Sequence, residues 1–185
     1  QSIKSTAETY GFKGGAGVVV NPKTGEVLAL SSIPEFDPNI LIENPKKEIV
    51  NALVNDPKKP FFNRAVSGLY PPGSIVKPAV AAAALAEGII DSKKEILSST
   101  PIVIKNPFSP DKPDIFPDWK QHGWVDMKKA LAISSDIYFY TVGGGHESQK
   151  GLGVWNIEKY FREFGFGKKT GIDLPGEKDG FLPDP

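Results

Sequence analysis

The spacing of apolar residues changes several times along the chain, and each change marks an element. Ser2 to Tyr10 reads as a helix that Gly11 ends. Gly15 to Val20 and Glu26 to Ser31 are near-continuous apolar runs separated by Asn21-Pro22-Lys23-Thr24-Gly25. They predict a β-hairpin with a Pro/Gly turn, and their continuity predicts a sheet covered on both faces. Pro34 to Asn39 is a loop rich in turn formers, and Lys46 to Leu53 a short helix. A long apolar helix is expected from Ser74 to Glu87, ending at Gly88, with the alanine run Ala81 to Ala84 marking it as the central buried helix. Ile96 to Asp118 holds five prolines and reads as irregular, with one short β segment at Pro101 to Lys105. Trp124 to Ile133 predicts a helix capped by Asp126, and Asp136 to Val142 another, ended by Gly143-Gly144-Gly145. Val154, Ile157, Phe161 and Phe164 recur at helical spacing before Gly165, and the tail to Pro185 is loop.

Strands therefore come first and a long helical stretch follows. Two strands cannot cover so much apolar surface alone, so further strands are expected beyond Pro185 or in another chain. The opening Gln1-Ser2-Ile3-Lys4-Ser5 reads as mid-helix, and the expectation is a piece of a longer protein: one partial domain over residues 1–185.

Composition narrows the function. Lys+Arg and Asp+Glu are both 22, so zero net charge gives no electrostatic reason for nucleic acid or an anionic membrane to be the main partner. With no cysteine, disulfides, thiolate metal sites and cysteine nucleophiles are excluded. The longest apolar run, Pro78 to Ala86, is too short to span a bilayer.

The chemistry centres on Ser74-Ile75-Val76-Lys77. A serine hydroxyl is a poor nucleophile until a base takes its proton. Positions i and i+3 share a helix face, so the Lys77 amine can reach the Ser74 oxygen. Lysine is a base only when partly neutral, which burial favours. Pro71-Pro72-Gly73 puts Ser74 at the helix start, where amides and the helix dipole favour developing negative charge. Pro78 lacks the amide that would otherwise bond the Ser74 carbonyl.

Tyr70-Pro71-Pro72-Gly73-Ser74-Ile75-Val76-Lys77-Pro78 resembles the active-site motif of class B penicillin-binding proteins. The resemblance extends through Pro22 to Leu30, Phe36-Asp37-Pro38-Asn39, Asn63-Arg64-Ala65, Gly165-Phe166-Gly167 and Thr170 to Glu177. It implies the transpeptidase/β-lactamase-like α/β (α+β) fold, an antiparallel sheet flanked by helices. It also implies acyl transfer from D-alanyl-D-alanine stem peptides to an amine, with β-lactams as mimics of the donor. Ser74 would be the nucleophile, Lys77 its base, and the Ser74 amide one oxyanion donor. The family's Ser-x-Asn motif matches Ser134-Ser135-Asp136, where Ser134 would relay a proton and Asp136 stands in place of the usual asparagine. That departure, with Tyr70-Pro71-Pro72 and Trp119, His122-Gly123 and Ile137 to Tyr140, is similar to the elongation-type branch, penicillin-binding protein 2. Implied partners are a membrane glycan polymerase and shape-maintaining proteins. The implied location is the periplasmic, outer face of the inner membrane, reached by an N-terminal membrane helix outside this sequence.

The third family motif, Lys-Thr-Gly, belongs on a strand lining the cleft. Lys23-Thr24-Gly25 falls in the hairpin turn and Lys169-Thr170-Gly171 in a loop, so both read as structural and the catalytic copy is expected after Pro185. The resemblance implies no metal or organic cofactor. Asp118, His122 and Asp126 nevertheless recur at four-residue spacing, and such residues can bind zinc. Surface polar residues or a helix cap is the other reading. Relatives with a metal near this loop use a cysteine at the position aligned with Ser135, and that cysteine is absent. Two alternatives remain: a serine β-lactamase or β-lactam sensor, and an inactive scaffold module of a wall-synthesis complex.

Overall fold

The computed structural model describes residues 2–42 and 46–183. Two compact units emerge, residues 1–70 with 169–180 and residues 71–168 with 181–185.

In the first unit, α1 (Ser2–Tyr10) ends at Gly11, whose φ of +68° suits a residue without Cβ. β1 (Gly15–Val20) and β2 (Val27–Ile33) pair antiparallel, with Val18 opposite Leu30. The Gly25 amide closes their turn by donating to the Asn21 carbonyl at 2.8 Å. Ile3 of α1 lies over Gly15 and Gly17, where a Cβ would collide with it. The described residues do not supply the expected cover on both faces: Val18, Val19, Val20, Val27 and Leu28 are all exposed. α1 packs on the start of β1 through Ile3, and the valines nearer the turn lie open among the described residues. α2 (Asn39–Ile42) and α3 (Lys47–Asn55) follow. Asn63 caps α4 (Arg64–Ser67), its side chain accepting from the Ala65 amide at 3.1 Å. The Arg64 amide donates to Ser32 Oγ at 2.9 Å, tying α4 to the end of β2.

The second unit is built around α5 (Lys77–Ala86). The predicted helix start is a separate 3-10 turn, Gly73–Val76. Pro78 is the cause: it has no amide to offer the Ser74 carbonyl, so the Lys77 amide takes that acceptor at i+3 instead. Val80, Ala81 and Ala84 of α5 pack with Val125, Met127, Ala130, Tyr138, Phe139 and Val142 in the core. The stretch read as irregular holds three short strands. β3 (Ile96–Ser98), β4 (Ile102–Ile104) and β5 (Asp114–Phe116) precede β6 (Gly123–Val125), with β3 pairing β6 and β4 pairing β5, all antiparallel. Trp124 and Val125 therefore extend a strand, and α6 (Met127–Ala132) begins only after its Asp126 cap. α7 (Asp136–Gly144) and α8 (Val154–Glu163) follow where expected. The tail has neither helix nor strand among its described residues; Asp184 and Pro185 lie outside them. Antiparallel strands interspersed with helices match the expected α/β (α+β) class. No helix among the described residues is long and apolar enough to cross a membrane.

Candidate active site

Ser74 and Lys77 stand one turn apart but in opposite environments. Gly73, at φ +61°, turns the chain out of Pro71-Pro72 and leaves Ser74 exposed in the 3-10 turn. Lys77 points inward, its side chain 10% exposed. Burying an ammonium is costly unless its hydrogens find acceptors. Lys77 Nζ finds three: it donates to the Ser134 carbonyl at 2.8 Å, to Ser134 Oγ at 3.1 Å and to Asp136 Oδ1 at 2.5 Å. The Phe139 ring centre lies 5.7 Å away. The sequence-predicted lysine, serine and aspartate therefore converge on one nitrogen. Ser74 lies on the same short stretch of helix, but no hydrogen bond joins its hydroxyl to Lys77 among the described residues.

Local backbone brings Ser134 into place. α6 ends at Ile133, and Ser134 adopts φ +56° in the left-handed region. This position after a helix usually takes glycine, because a side chain there costs about 1–2 kcal/mol. The strained conformation points both the carbonyl and the hydroxyl of Ser134 at Lys77. Ser135 then caps α7, its hydroxyl accepting from the Tyr138 amide at 3.3 Å. Asp136 is the first residue of that helix, where a carboxylate also suits the dipole.

On the far side of this turn lies Asp118, its side chain 2% exposed. Its Oδ2 accepts from Ser98 Oγ and Ser135 Oγ, both at 2.7 Å, and from the Ile137 amide at 3.2 Å. Its Oδ1 accepts from the Trp119 amide at 2.8 Å. Burial opposes the charge on Asp118. The Ser135 and Ser98 hydroxyls and the amides of Asp136 and Ile137 outweigh it, lowering the carboxyl to about 2.

This cluster contains the metal candidates, and it fits zinc poorly. His122 Nε2 lies 3.6 Å from Asp118 Oδ1 and is buried without a hydrogen-bond partner, so two groups of the right type do meet. The other side chains at Asp118 are the neutral hydroxyls of Ser98 and Ser135, which donate their protons to the carboxylate. Structural zinc calls for four thiolate, imidazole or carboxylate ligands. Asp126 is elsewhere, capping α6 by accepting from the Lys129 amide at 2.8 Å. Among the described residues no three His, Cys, Asp or Glu side chains group to hold a metal.

Neither Lys-Thr-Gly copy lies on a strand. Lys23-Thr24-Gly25 occupies the β1–β2 turn, where Thr24 Oγ1 donates to Glu26 at 2.8 Å. Thr170 donates its amide and its hydroxyl to Glu177 Oε1, each at 2.6 Å, so the second copy is tied into its own loop. Sequence reasoning missed Ser98 and the inward role of Ser135, both wholly buried. Ser98 has no motif around it. For Ser135 the signals were its place between two residues already assigned and its alignment with the cysteine that metal-bearing relatives use.

Residues 15–185 match the model of the penicillin binding protein transpeptidase domain. The peptidoglycan D,D-transpeptidase MrdA of Acinetobacter baumannii is 40% identical over 173 residues, which is 92% of this chain and 24% of that protein. The complex between penicillin-binding protein PBP2 and MreC from Helicobacter pylori aligns with TM-score 0.79 at 32% identity, over 98% of this chain and 32% of that one. A peptidoglycan synthase complex described as coordinating polymerization and crosslinking aligns with TM-score 0.75 at 30% identity, over 98% and 31%. The chain thus spans about a quarter of the length of the curated relative it matches. On the strength of a family match that takes in nearly every residue, the chain belongs to the penicillin-binding protein transpeptidase domain family.

Proposed function

We propose that this chain supplies the nucleophile, the base and the proton relay of a peptidoglycan D,D-transpeptidase. The observation that carries the reading is the convergence of Ser134 Oγ and Asp136 on Lys77 Nζ, one helical turn beyond Ser74.

Ser74 Oγ attacks the carbonyl carbon of the penultimate D-alanine, and its proton passes to Lys77. An ammonium bonded to three acceptors has no lone pair to receive that proton. Lys77 must therefore enter the step neutral, with two hydrogens on the second motif and its lone pair towards Ser74. The oxyanion forms beside the Ser74 amide, at a helix start where such charge is favoured. The tetrahedral intermediate collapses by breaking the peptide bond, and the leaving D-alanine amine takes a proton through Ser134 Oγ. An acyl ester on Ser74 remains. An amine from a neighbouring stem peptide then attacks the ester carbonyl and gives up a proton along the same route. The new amide forms and Ser74 Oγ–H is restored. A β-lactam opens by the first half of this sequence and stays as the ester.

Family membership and the MreC-bound relative support an assembly with shape-maintaining proteins. The synthase complex supports a glycan polymerase partner. In this reading the protein acts on stem peptides at the outer face of the bacterial inner membrane. The test is intact mass after incubation with a penicillin, on the full-length protein and its Ser74→Ala variant. One penicillin mass added to the parent and none to the variant is expected. An unmodified parent refutes the reading.

A further inference from the structure

We propose that Asp118 is a positioning residue that holds the Ser134–Asp136 turn in its Lys77-facing geometry without the help of a metal. This rests on the transpeptidase reading above. Residues of the turn alternate in what they serve. Ser134 and Asp136 bond Lys77 on one side. On the other side Asp118 Oδ2 accepts from the Ser135 hydroxyl and the Ile137 amide. Trp119, the next residue, extends the grip by donating its indole N–H to the Ile133 carbonyl at 3.2 Å. One two-residue segment thus holds positions 133, 135 and 137, and leaves the side chains of Ser134 and Asp136 to the ammonium.

The grip is needed because Ser134 sits at φ +56°, a conformation that a side chain resists. A turn anchored only by Lys77 could relax and carry Ser134 Oγ away from the proton path. Ser98 Oγ, wholly buried at the end of β3, fixes Asp118 in turn from the β3–β6 pair. The neutral hydroxyls around the carboxylate are what a hydrogen-bonded anchor requires, and they are poor zinc ligands.

The experiment is stopped-flow acylation of the full-length protein by a chromogenic cephalosporin. It separates the non-covalent dissociation constant from the acylation rate constant for the parent, Asp118→Asn and Ser98→Ala, and runs the parent with and without EDTA. An asparagine at 118 presents N–H groups to donors that need an acceptor. The acylation rate constant should fall about 10- to 100-fold in Asp118→Asn, as expected for a catalytic group displaced by about an ångström. The dissociation constant should stay within about 3-fold, since only the chemical step uses the turn. Ser98→Ala should lower the rate constant in the same sense by a smaller factor, and it carries the test if Asp118→Asn does not fold. EDTA should leave the parent unchanged.

An unchanged rate constant in the folded variants overturns the proposal, as does an equal loss in binding and rate. A parent that loses acylation with EDTA and regains it with zinc overturns it in favour of a metal. A parent that is never acylated sinks the transpeptidase reading and this proposal with it. An acylated parent with unaffected variants sinks the proposal alone.

Discussion

Replacing Ser134 by glycine and by alanine separates its hydroxyl from its backbone. Both variants delete Ser134 Oγ and with it the 3.1 Å bond from Lys77. Lys77 keeps the Ser134 carbonyl and Asp136, so the ammonium is not orphaned and the lost bond costs about 1 kcal/mol. Alanine keeps a Cβ at φ +56° and so keeps the strain, whereas glycine releases it. Relief at a left-handed position is worth about 1 kcal/mol after allowing for the extra freedom of glycine in the unfolded chain. Ser134→Gly should therefore lie close to the parent in stability and Ser134→Ala about 1 kcal/mol below it. In thermal melting the glycine variant should lie about 2–4 °C above the alanine variant. Acylation by penicillin should fall by the same factor in both, about 100-fold or more, because the proton relay is gone in each. An alanine variant that melts at or above the glycine variant would refute the strain argument. A glycine variant acylated at the parent rate would refute the relay.

Two further outcomes follow from buried groups. The Asp118 carboxyl is lowered from 3.8 to about 2, so it contributes stability above about pH 4 that is lost as pH falls from 4 towards 2. That contribution is about 2 kcal/mol, and Asp118→Asn should flatten the acid limb of melting temperature against pH by a matching amount. Tyr138 is fully buried with its hydroxyl unpartnered, and burial, with Asp126 and Asp91 adding negative potential, pushes its phenol up to about 12. Tyr138→Phe should stabilise by about 1 kcal/mol, since it removes a buried polar atom and breaks no bond. A lower melting temperature for that variant would count against this reading.

How far the sequence could be read depended on the range of the interaction that decides each element. α1, the β1–β2 hairpin, α7 and α8 are set by local pattern and by glycine stops, and they lie where the pattern puts them. The motif around Ser74 was legible because proline, glycine, serine and lysine occur there in a fixed order. What escaped was decided at longer range. β3 and β6 are three residues each and pair across the 29 residues that separate Ile96 from its partner Val125, so neither carries a period of its own. Trp124 and Val125 looked like the first turn of a helix because nothing nearby shows Leu97 as a pairing partner. Pro78 was seen to remove an acceptor's partner, yet the replacement bond from the Lys77 amide depended on a backbone choice that local pattern leaves open. Ser98 was invisible for the same reason: its importance is wholly the carboxylate it meets from 20 residues away.

The two buried charges of the site are compensated in different ways, and the difference suits their proposed roles. Asp118 is surrounded by neutral donors, and every one of them stabilises the charged form. Such a group holds its charge through a reaction at neutral pH and serves as a fixed anchor. Lys77 is instead met by an opposite charge, with Asp136 at 2.5 Å. Removing a proton from Lys77 to solvent would leave that carboxylate, 30% exposed, facing a neutral amine. An asparagine at position 136 could accept the same hydrogen bond but would bring no opposing charge to the buried ammonium. In the proposed mechanism Asp136 therefore holds Lys77 Nζ beside Ser134 Oγ, the hydroxyl that carries the proton to the leaving amine.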